Sequence, residues 1–371
     1  MVKTPPLFDI HPPLVNSACP WATTLEDLRR LYACPSTGAV TTRTSLIQGF
    51  GHDPDKHQFV FFDAARAAAE DPASAPLNAS VNSLGYSPVP LATYLDFIQT
   101  LSDEAPPSAG PAPAAKGFIV SVTGSPEDVA ASYALLAAAA PRLRFPLAME
   151  INLSCPNIPG RPPPAYERDA LVAYLAPLRR AITEAHAAAA AVPIPVGLKT
   201  PPYTYATQFL ALLDALESAT QASEGGSCPV SFLTATNTLG SCLLLSSSSS
   251  FSNPSSADAP PFVPAPVLPH DGPEASSSSS SSSSLGTGGM AGAPLHPLAL
   301  GNVATLRRLL DERAPALGRR VAVVGVGGVA DAAGYRRMRA AGADVVGLAT
   351  GLGLRGVDVF REVEAGLEGK W

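Results

Sequence analysis

VAVVGVGGVADAAGYRRMRAAGADVVGLAT, residues 321–350, holds two short β-branched runs, 321–328 (VAVVGVGG) and 344–350 (DVVGLAT), on either side of a longer segment. Short apolar runs alternating with longer helical patterns mark βαβ units, whose strands lie parallel in one sheet. The same rhythm recurs outward along the chain. Candidate strands fall at 38–42 (GAVTT), 77–83 (LNASVNS), 117–123 (GFIVSVT), 147–154 (LAMEINLS), 194–200 (IPVGLKT) and 230–237 (VSFLTATN). Eight strand–helix repeats predict an α/β protein of the TIM (β/α)8 type, a closed barrel rather than an open Rossmann sheet. The 371 residues exceed the usual domain size, but such barrels reach that length as one domain, so 1–371 is read as a single domain.

The intervening helices have readable starts. Thr23-Thr24-Leu25-Glu26 puts Glu three residues after Thr, a capping-box spacing opening a helix over 24–33. Ser125-Pro126-Glu127-Asp128 sets an N-cap Ser before a Pro at the first helical position, with acids in the first turn. Residues 166–189, 204–220 and 297–314 carry apolar residues at helical spacing, and Gly356 to Gly369 reads as a closing helix. One region breaks the pattern. Residues 244–287 contain serine runs at 246–250 and 276–284 around a Pro-rich stretch, a composition that cannot offset chain entropy by burial. The expectation is a disordered low-complexity insertion after the sixth strand.

Composition excludes several functions. A net charge of −6 argues against a nucleic-acid surface, which needs clustered Lys and Arg. The amino-terminal segment has neither a long apolar stretch nor an Arg-rich amphipathic one, so a cytoplasmic location is expected. No window approaches eighteen uninterrupted apolar residues, so no membrane span is expected. Five cysteines without a Cys-x-x-Cys pair, and scattered histidines, indicate neither a disulfide framework nor a metal site.

Catalytic groups in such barrels stand at the carboxyl ends of the strands. Those ends here carry Arg43, Asn82-Ser83, Asn152-Leu153-Ser154-Cys155-Pro156-Asn157, Lys199, Asn237-Thr238, Gly327-Gly328 and Ala349-Thr350. Gly327-Gly328 lets the backbone approach an anion, and Thr350 offers a hydroxyl. A phosphate after the last two strands, with apolar walls around it, suits a mononucleotide such as FMN. Lys199 ends a buried strand, where an ammonium must be paired or face a site. It would either stabilise an electron-rich ring or bridge Glu150 inside the barrel. Asn82, Asn152, Asn157 and Asn237 offer donors and acceptors together, as a planar amide-rich ligand requires. Cys155 differs from the other cysteines in lying at the reactive end among polar groups, where a thiol can serve as base or nucleophile.

The run EINLSCPNIPGRPPPAY (150–166) resembles the active-site loop of class 1A dihydroorotate dehydrogenases, the soluble homodimeric type. NSLGYSP (82–88), VGLKTPPY (196–203), TNTLG (236–240), GGMAG (288–292) and VVGVGGV (323–329) extend the resemblance from about Pro13 to the carboxyl end, skipping the serine-rich insertion. It implies FMN across the barrel mouth with dihydroorotate stacked on it. Cys155 would take the C5 proton as hydride passes from C6 to the flavin. Asn82, Asn152, Asn157, Asn237 and Thr238 would hold the pyrimidine and its carboxylate, with Arg43 and the backbone of Leu84, Gly85 and Tyr86. Lys199, Ala18, Cys19, Arg43, Asn152, Thr236, Gly292, Gly327, Gly328, Ala349 and Thr350 would serve FMN. Fumarate is the implied electron acceptor and a homodimer the implied assembly. Against the family pattern, Arg43 replaces a lysine, and Cys19 and Ala349 replace glycines, while Tyr86-Ser87 replaces Leu-Pro. The residues are also compatible with a flavin barrel acting on another dihydropyrimidine or enone-like substrate, or with a paralogue that binds FMN without turnover.

Overall fold

The computed structural model describes residues 4–67, 76–105, 116–158, 162–188, 191–223, 225–245, 266–269 and 286–371. In chain order these form β1 (Leu14–Asn16), α1 (Leu25–Ala33), β2 (Ala39–Thr41), β3 (Phe59–Phe62), β4 (Ala79–Asn82), α2 (Leu91–Glu104) and β5 (Gly117–Val122). There follow α3 (Pro126–Ala139), β6 (Leu147–Asn152), α4 (Arg168–Ala187), β7 (Val196–Thr200), α5 (Ala206–Gln221), β8 (Phe232–Ala235), β9 (Leu239–Leu243) and β10 (Thr287–Gly292). The chain closes with α6 (His296–Leu317), β11 (Ala322–Val326), α7 (Ala332–Ala340), β12 (Val345–Leu348), α8 (Thr350–Arg355) and α9 (Asp358–Leu367). Among the described residues no helix is long and apolar enough to cross a membrane.

The barrel predicted from the alternating pattern is present. Its parallel strands run β1, β2, β5, β6, β7, β8, β11, β12, and β12 pairs back onto β1 through Leu14–Val346, Val15–Gly347 and Asn16–Leu348. Its membership corrects the sequence reading. The stretch at 77–83 is not a barrel strand. Its core forms β4, which pairs antiparallel with β3 and β10 in a separate sheet ordered β3–β4–β10–β9. The missing barrel strand is β1, which directly follows the Pro12-Pro13 pair and at three residues is too short to show any period. One strand lost and one gained before β5 leave β6 fourth and β8 sixth, so the 152–157 loop keeps its expected place.

Strand parity divides the interior. Val120, Met149, Ile151, Leu198, Leu233 and Val346 face the helices in the large outer core. Val15, Ala39, Ile119, Ala148, Phe232, Val324 and Val345, of the opposite parity, fill the barrel, with Leu7 and Phe8 packed against them. Glu150 and Lys199 share that inward parity. Glu150 accepts from Ser121 Oγ at 2.9 Å and Thr234 Oγ1 at 2.7 Å, forming a buried polar layer above the apolar one.

The helices begin largely where the sequence places them. Ser125 is the N-cap of α3 as expected, and Asp128 completes a capping box with it. On α1 the box is one residue later than expected, Thr24 with Asp27, because the first helical residue is Leu25. The serine runs at 246–250 and 276–284 lie outside the described residues. At the flanks of the insertion β9 and β10 are paired, and Leu245 bridges Pro266, with Val267 N–H donating to Leu244 O at 3.0 Å.

Gly197 sits opposite Phe232 in the β7–β8 register, and a Cβ there would meet the Phe232 ring. Gly197→Ala is expected to destabilise the protein by about 1–3 kcal/mol through overpacking. That exceeds the roughly 0.4–1 kcal/mol gained by stiffening the unfolded chain. Adding Phe232→Leu should recover part of the loss in urea unfolding. A Gly197→Ala protein as stable as the parent would show that the barrel is not closed in this register.

Candidate active site

Lys199, next to last in β7, points inward, only 4% exposed, and its Nζ donates to Ser17 Oγ at 3.1 Å. Among the described residues it has no ion-pair partner: Glu150 is engaged by two hydroxyls instead, so the bridge left open by the sequence is not formed. A buried ammonium with one neutral partner is costly unless something else in the site balances it. Two adjoining cavities meet beside it.

The larger, about 350 Å³, is lined by Thr236, Gly292, Gly327 and Gly328 among the anticipated residues. The smaller, about 120 Å³, is lined by Cys19, Arg43, Asn82, Leu84, Gly85, Tyr86, Asn152, Cys155 and Asn157. Ala18, Lys199, Asn237, Thr238, Ala349 and Thr350 line both. The fold thus gathers every residue expected to serve the cofactor or the substrate around one pair of joined spaces at the carboxyl ends of the strands.

In the larger cavity, Gly327 (φ 141°) and Gly328 (φ 69°) hold backbone conformations closed to most side chains, leaving a concave stretch of main chain. Thr236 Oγ1 is buried on the same wall with no hydrogen-bond partner among the described residues. Buried hydroxyls are rarely left so, and this one has the position of a ligand contact. The donor set fits a mononucleotide: glycine backbone for a phosphate, hydroxyls from Thr236 and Thr350, and a cation at the junction.

The asparagines around the smaller cavity are cross-linked. Asn157 Nδ2 donates to Asn82 Oδ1 (2.9 Å) and to Leu84 O (2.9 Å). Asn237 Nδ2 donates to Asn152 Oδ1 (3.2 Å) and Ser154 Oγ (3.0 Å), and Asn152 Nδ2 to Thr44 Oγ1 (3.0 Å). Asn82 Nδ2 donates to Gly289 O at 3.0 Å, which ties β4 to β10 over the mouth. Each carboxamide is thereby fixed in orientation before any ligand arrives.

Sequence reasoning missed Ser17, Thr44 and Ser80, whose hydroxyls pair with Lys199, Asn152 and Thr350. It also missed Trp21 and Phe59, which line the smaller cavity and meet edge to face at 5.6 Å. The FVFF run at 59–62 was the available sign of that wall. Ala291 enters both cavities because β10 belongs to the antiparallel sheet.

Known proteins resemble this chain. The dihydroorotate dehydrogenase family model matches residues 272–370. A dihydroorotate dehydrogenase (fumarate) from Trypanosoma cruzi is 26% identical over 354 residues, 95% of this chain and 87% of the relative. Dihydroorotate dehydrogenase A (fumarate) from Lactococcus lactis is 24% identical over 357 residues, 96% and 89% of the two chains. The chain is similar to the dihydroorotate dehydrogenases along nearly its whole length. The fold agrees: a ligand-free DHODH structure from Eimeria tenella superposes with a TM-score of 0.64 at 17% identity, covering 99% of this chain and 88% of that one. Members of the family are oxidoreductases, and flavoproteins in general.

Two departures from the dihydroorotate dehydrogenase pattern can be placed. Cys19 has φ −159°, extended backbone open to any residue, so its side chain costs no strain. It is buried, and burial pushes its thiol up to about 12. Arg43 lines the smaller cavity and donates to Gly85 O at 3.2 Å, a fork bonded to main chain where a lysine would be a point charge.

Cys155 is half-buried. Burial raises its thiol above the ordinary value, opposed by the Asn157 backbone and by the charges of Lys199 and Arg43. A raised value keeps the thiol protonated to higher pH. Iodoacetamide labelling of Cys155, followed by peptide mapping, should therefore still be accelerating at pH 9. Lys199→Met should slow it at pH 8 by roughly threefold to tenfold, since removing the cation raises the thiol further. A labelling rate that levels off below pH 9, or is indifferent to Lys199, contradicts this electrostatic picture.

Proposed function

We propose that the chain oxidises (S)-dihydroorotate to orotate with FMN as cofactor, in pyrimidine biosynthesis. The observation that carries this reading is the cation of Lys199 at the junction of two cavities, one walled by glycine backbone and a threonine hydroxyl without a partner among the described residues, the other by a thiol and four asparagines. In it the protein works as one FMN-binding barrel. Gly292, Gly327, Gly328, Thr236 and Thr350 would hold the phosphate and ribityl chain, and Ala18, Cys19, Asn152 and Ala349 would border the ring. FMN, when bound, supplies a two-electron acceptor for the hydride from C6.

The chain's own residues do the rest. Asn82, Asn152, Asn157, Asn237 and Thr238 present fixed donors and acceptors to the pyrimidine amides, so little orientational freedom remains to be lost on binding. Arg43, with the backbone of Leu84, Gly85 and Tyr86, would face the substrate carboxylate. Cys155 takes the C5 proton onto Sγ as the C5–C6 double bond forms. Lys199 supplies positive charge where the redox change adds electron density, a preorganised electrostatic contribution. The names of the curated relatives favour fumarate as the acceptor that restores the cofactor, and the same likeness favours a cytoplasmic homodimer.

Anaerobic addition of dihydroorotate to the yellow protein should bleach its flavin absorbance. Cys155→Ala should keep FMN yet slow bleaching by about 10²–10⁴-fold. Because burial raises the thiol, the parental rate should climb with pH through neutrality and beyond. No bleaching of a flavin-loaded parent would exclude dihydroorotate as substrate, and an unaltered rate in Cys155→Ala would remove the thiol from the reaction.

A further inference from the structure

His296 opens α6 directly beneath the Gly327–Gly328 turn and takes no part in the reaction described above. It is buried, and both ring nitrogens are engaged: Nδ1 lies 2.7 Å from Gly327 O, and Nε2 lies 3.1 Å from Arg337 Nε. A carbonyl can only accept and a guanidinium can only donate, so Nδ1 carries the proton and Nε2 the lone pair. The two partners thus fix the ring in one tautomer and one orientation.

The consequence falls on the neighbouring peptide. The Gly327–Gly328 unit is planar, with its carbonyl and the following N–H on opposite sides. Holding Gly327 O toward His296 therefore turns Gly328 N–H away from it. Gly327 and Gly328 line the larger cavity and His296 does not. The N–H has no backbone acceptor among the described residues. A pair of glycines has little orientational preference of its own, so an external clamp is what gives this peptide a direction. The packing is close: a Cβ on Gly328 would lie 2.6 Å from His296 Cβ and 2.7 Å from Gly292 O.

We propose that His296, locked by Arg337, is a positioning residue that aims Gly328 N–H at an oxyanion in the larger cavity, the phosphate monoester of the cofactor. The inference rests on the FMN reading and adds to it a device outside the binding residues. Its signature is selective: loss of the clamp should weaken a ligand carrying the phosphate and spare one without it.

The protein, stripped of flavin by dialysis against potassium bromide, is titrated with FMN and with riboflavin by fluorescence quenching. The parent should prefer FMN. His296→Ala should lose about 10- to 100-fold in FMN affinity, the range for one hydrogen bond to a charged group, with riboflavin affinity within threefold of the parent. His296→Asn, whose Nδ2 can donate from the place of Nδ1, should restore most of the loss. Arg337→Met, a change at an exposed position, should reduce the FMN preference by several-fold and decides the matter even if His296→Ala does not fold. Equal weakening of FMN and riboflavin, no rescue by Asn, or an unchanged preference in Arg337→Met overturns the proposal. A parent that binds both flavins alike overturns the phosphate assignment, whereas one that binds neither also removes the flavin reading on which it rests.

Discussion

The ammonium of Lys199, near the end of β7, is 4% exposed and among the described residues is held by a single serine hydroxyl, and it constrains the whole upper barrel. An isolated ammonium in such surroundings is costly without a counter-charge or a ring of polar partners. The one carboxylate of matching strand parity on the neighbouring strand, Glu150, is occupied by Ser121 and Thr234, so the barrel does not neutralise Lys199 from within. The charge is instead presented to the two cavities that adjoin it. Each wall then has a complementary chemistry: main chain, Thr236 and Thr350 on one side, Cys155 and the asparagine network on the other.

Much of this was legible because it depends on parity and position. Once 147–154 and 194–200 are read as strands, Glu150, Asn152 and Lys199 must face the same interior, and the polar ends must converge on one mouth. What the sequence did not disclose depends on partners far away in the chain. Ser17 lies 182 residues from Lys199, Thr44 is 108 from Asn152, and Ser80 is 270 from Thr350. A hydroxyl has no sequence signature for such a partner. The strand at 77–83 was misplaced for a related reason. Four residues of β-type sequence do not specify whether their neighbours run parallel or antiparallel, and pairing with β3 and β10 settles it. Three residues after two prolines were equally unable to announce β1.

The antiparallel sheet alters how the mouth is built. It brings Ser80, Asn82 and Ala291 to the cavities from outside the barrel, and Gly289 leaves room for Thr238, whose Oγ1 a Cβ there would meet. The departures from the family pattern fall on the smaller cavity and on its junction with the larger one. Cys19 and Arg43 adjust the shape and charge seen by a substrate, while the Gly327–Gly328 backbone and its His296 support stand apart from them. The cofactor end and the substrate end are thus separable in structure, joined through Lys199 and its neighbours.

The central claim is that these two cavities form one site, with cofactor in the larger and pyrimidine in the smaller. A crystal structure of the protein with FMN and orotate tests it most directly. The account predicts the phosphate against Gly327 and Gly328, Lys199 against the flavin ring, and orotate within contact of Cys155 Sγ and the carboxamides of Asn82, Asn152, Asn157 and Asn237. Orotate bound away from Cys155, or a flavin whose phosphate lies elsewhere than the Gly327–Gly328 turn, would contradict it.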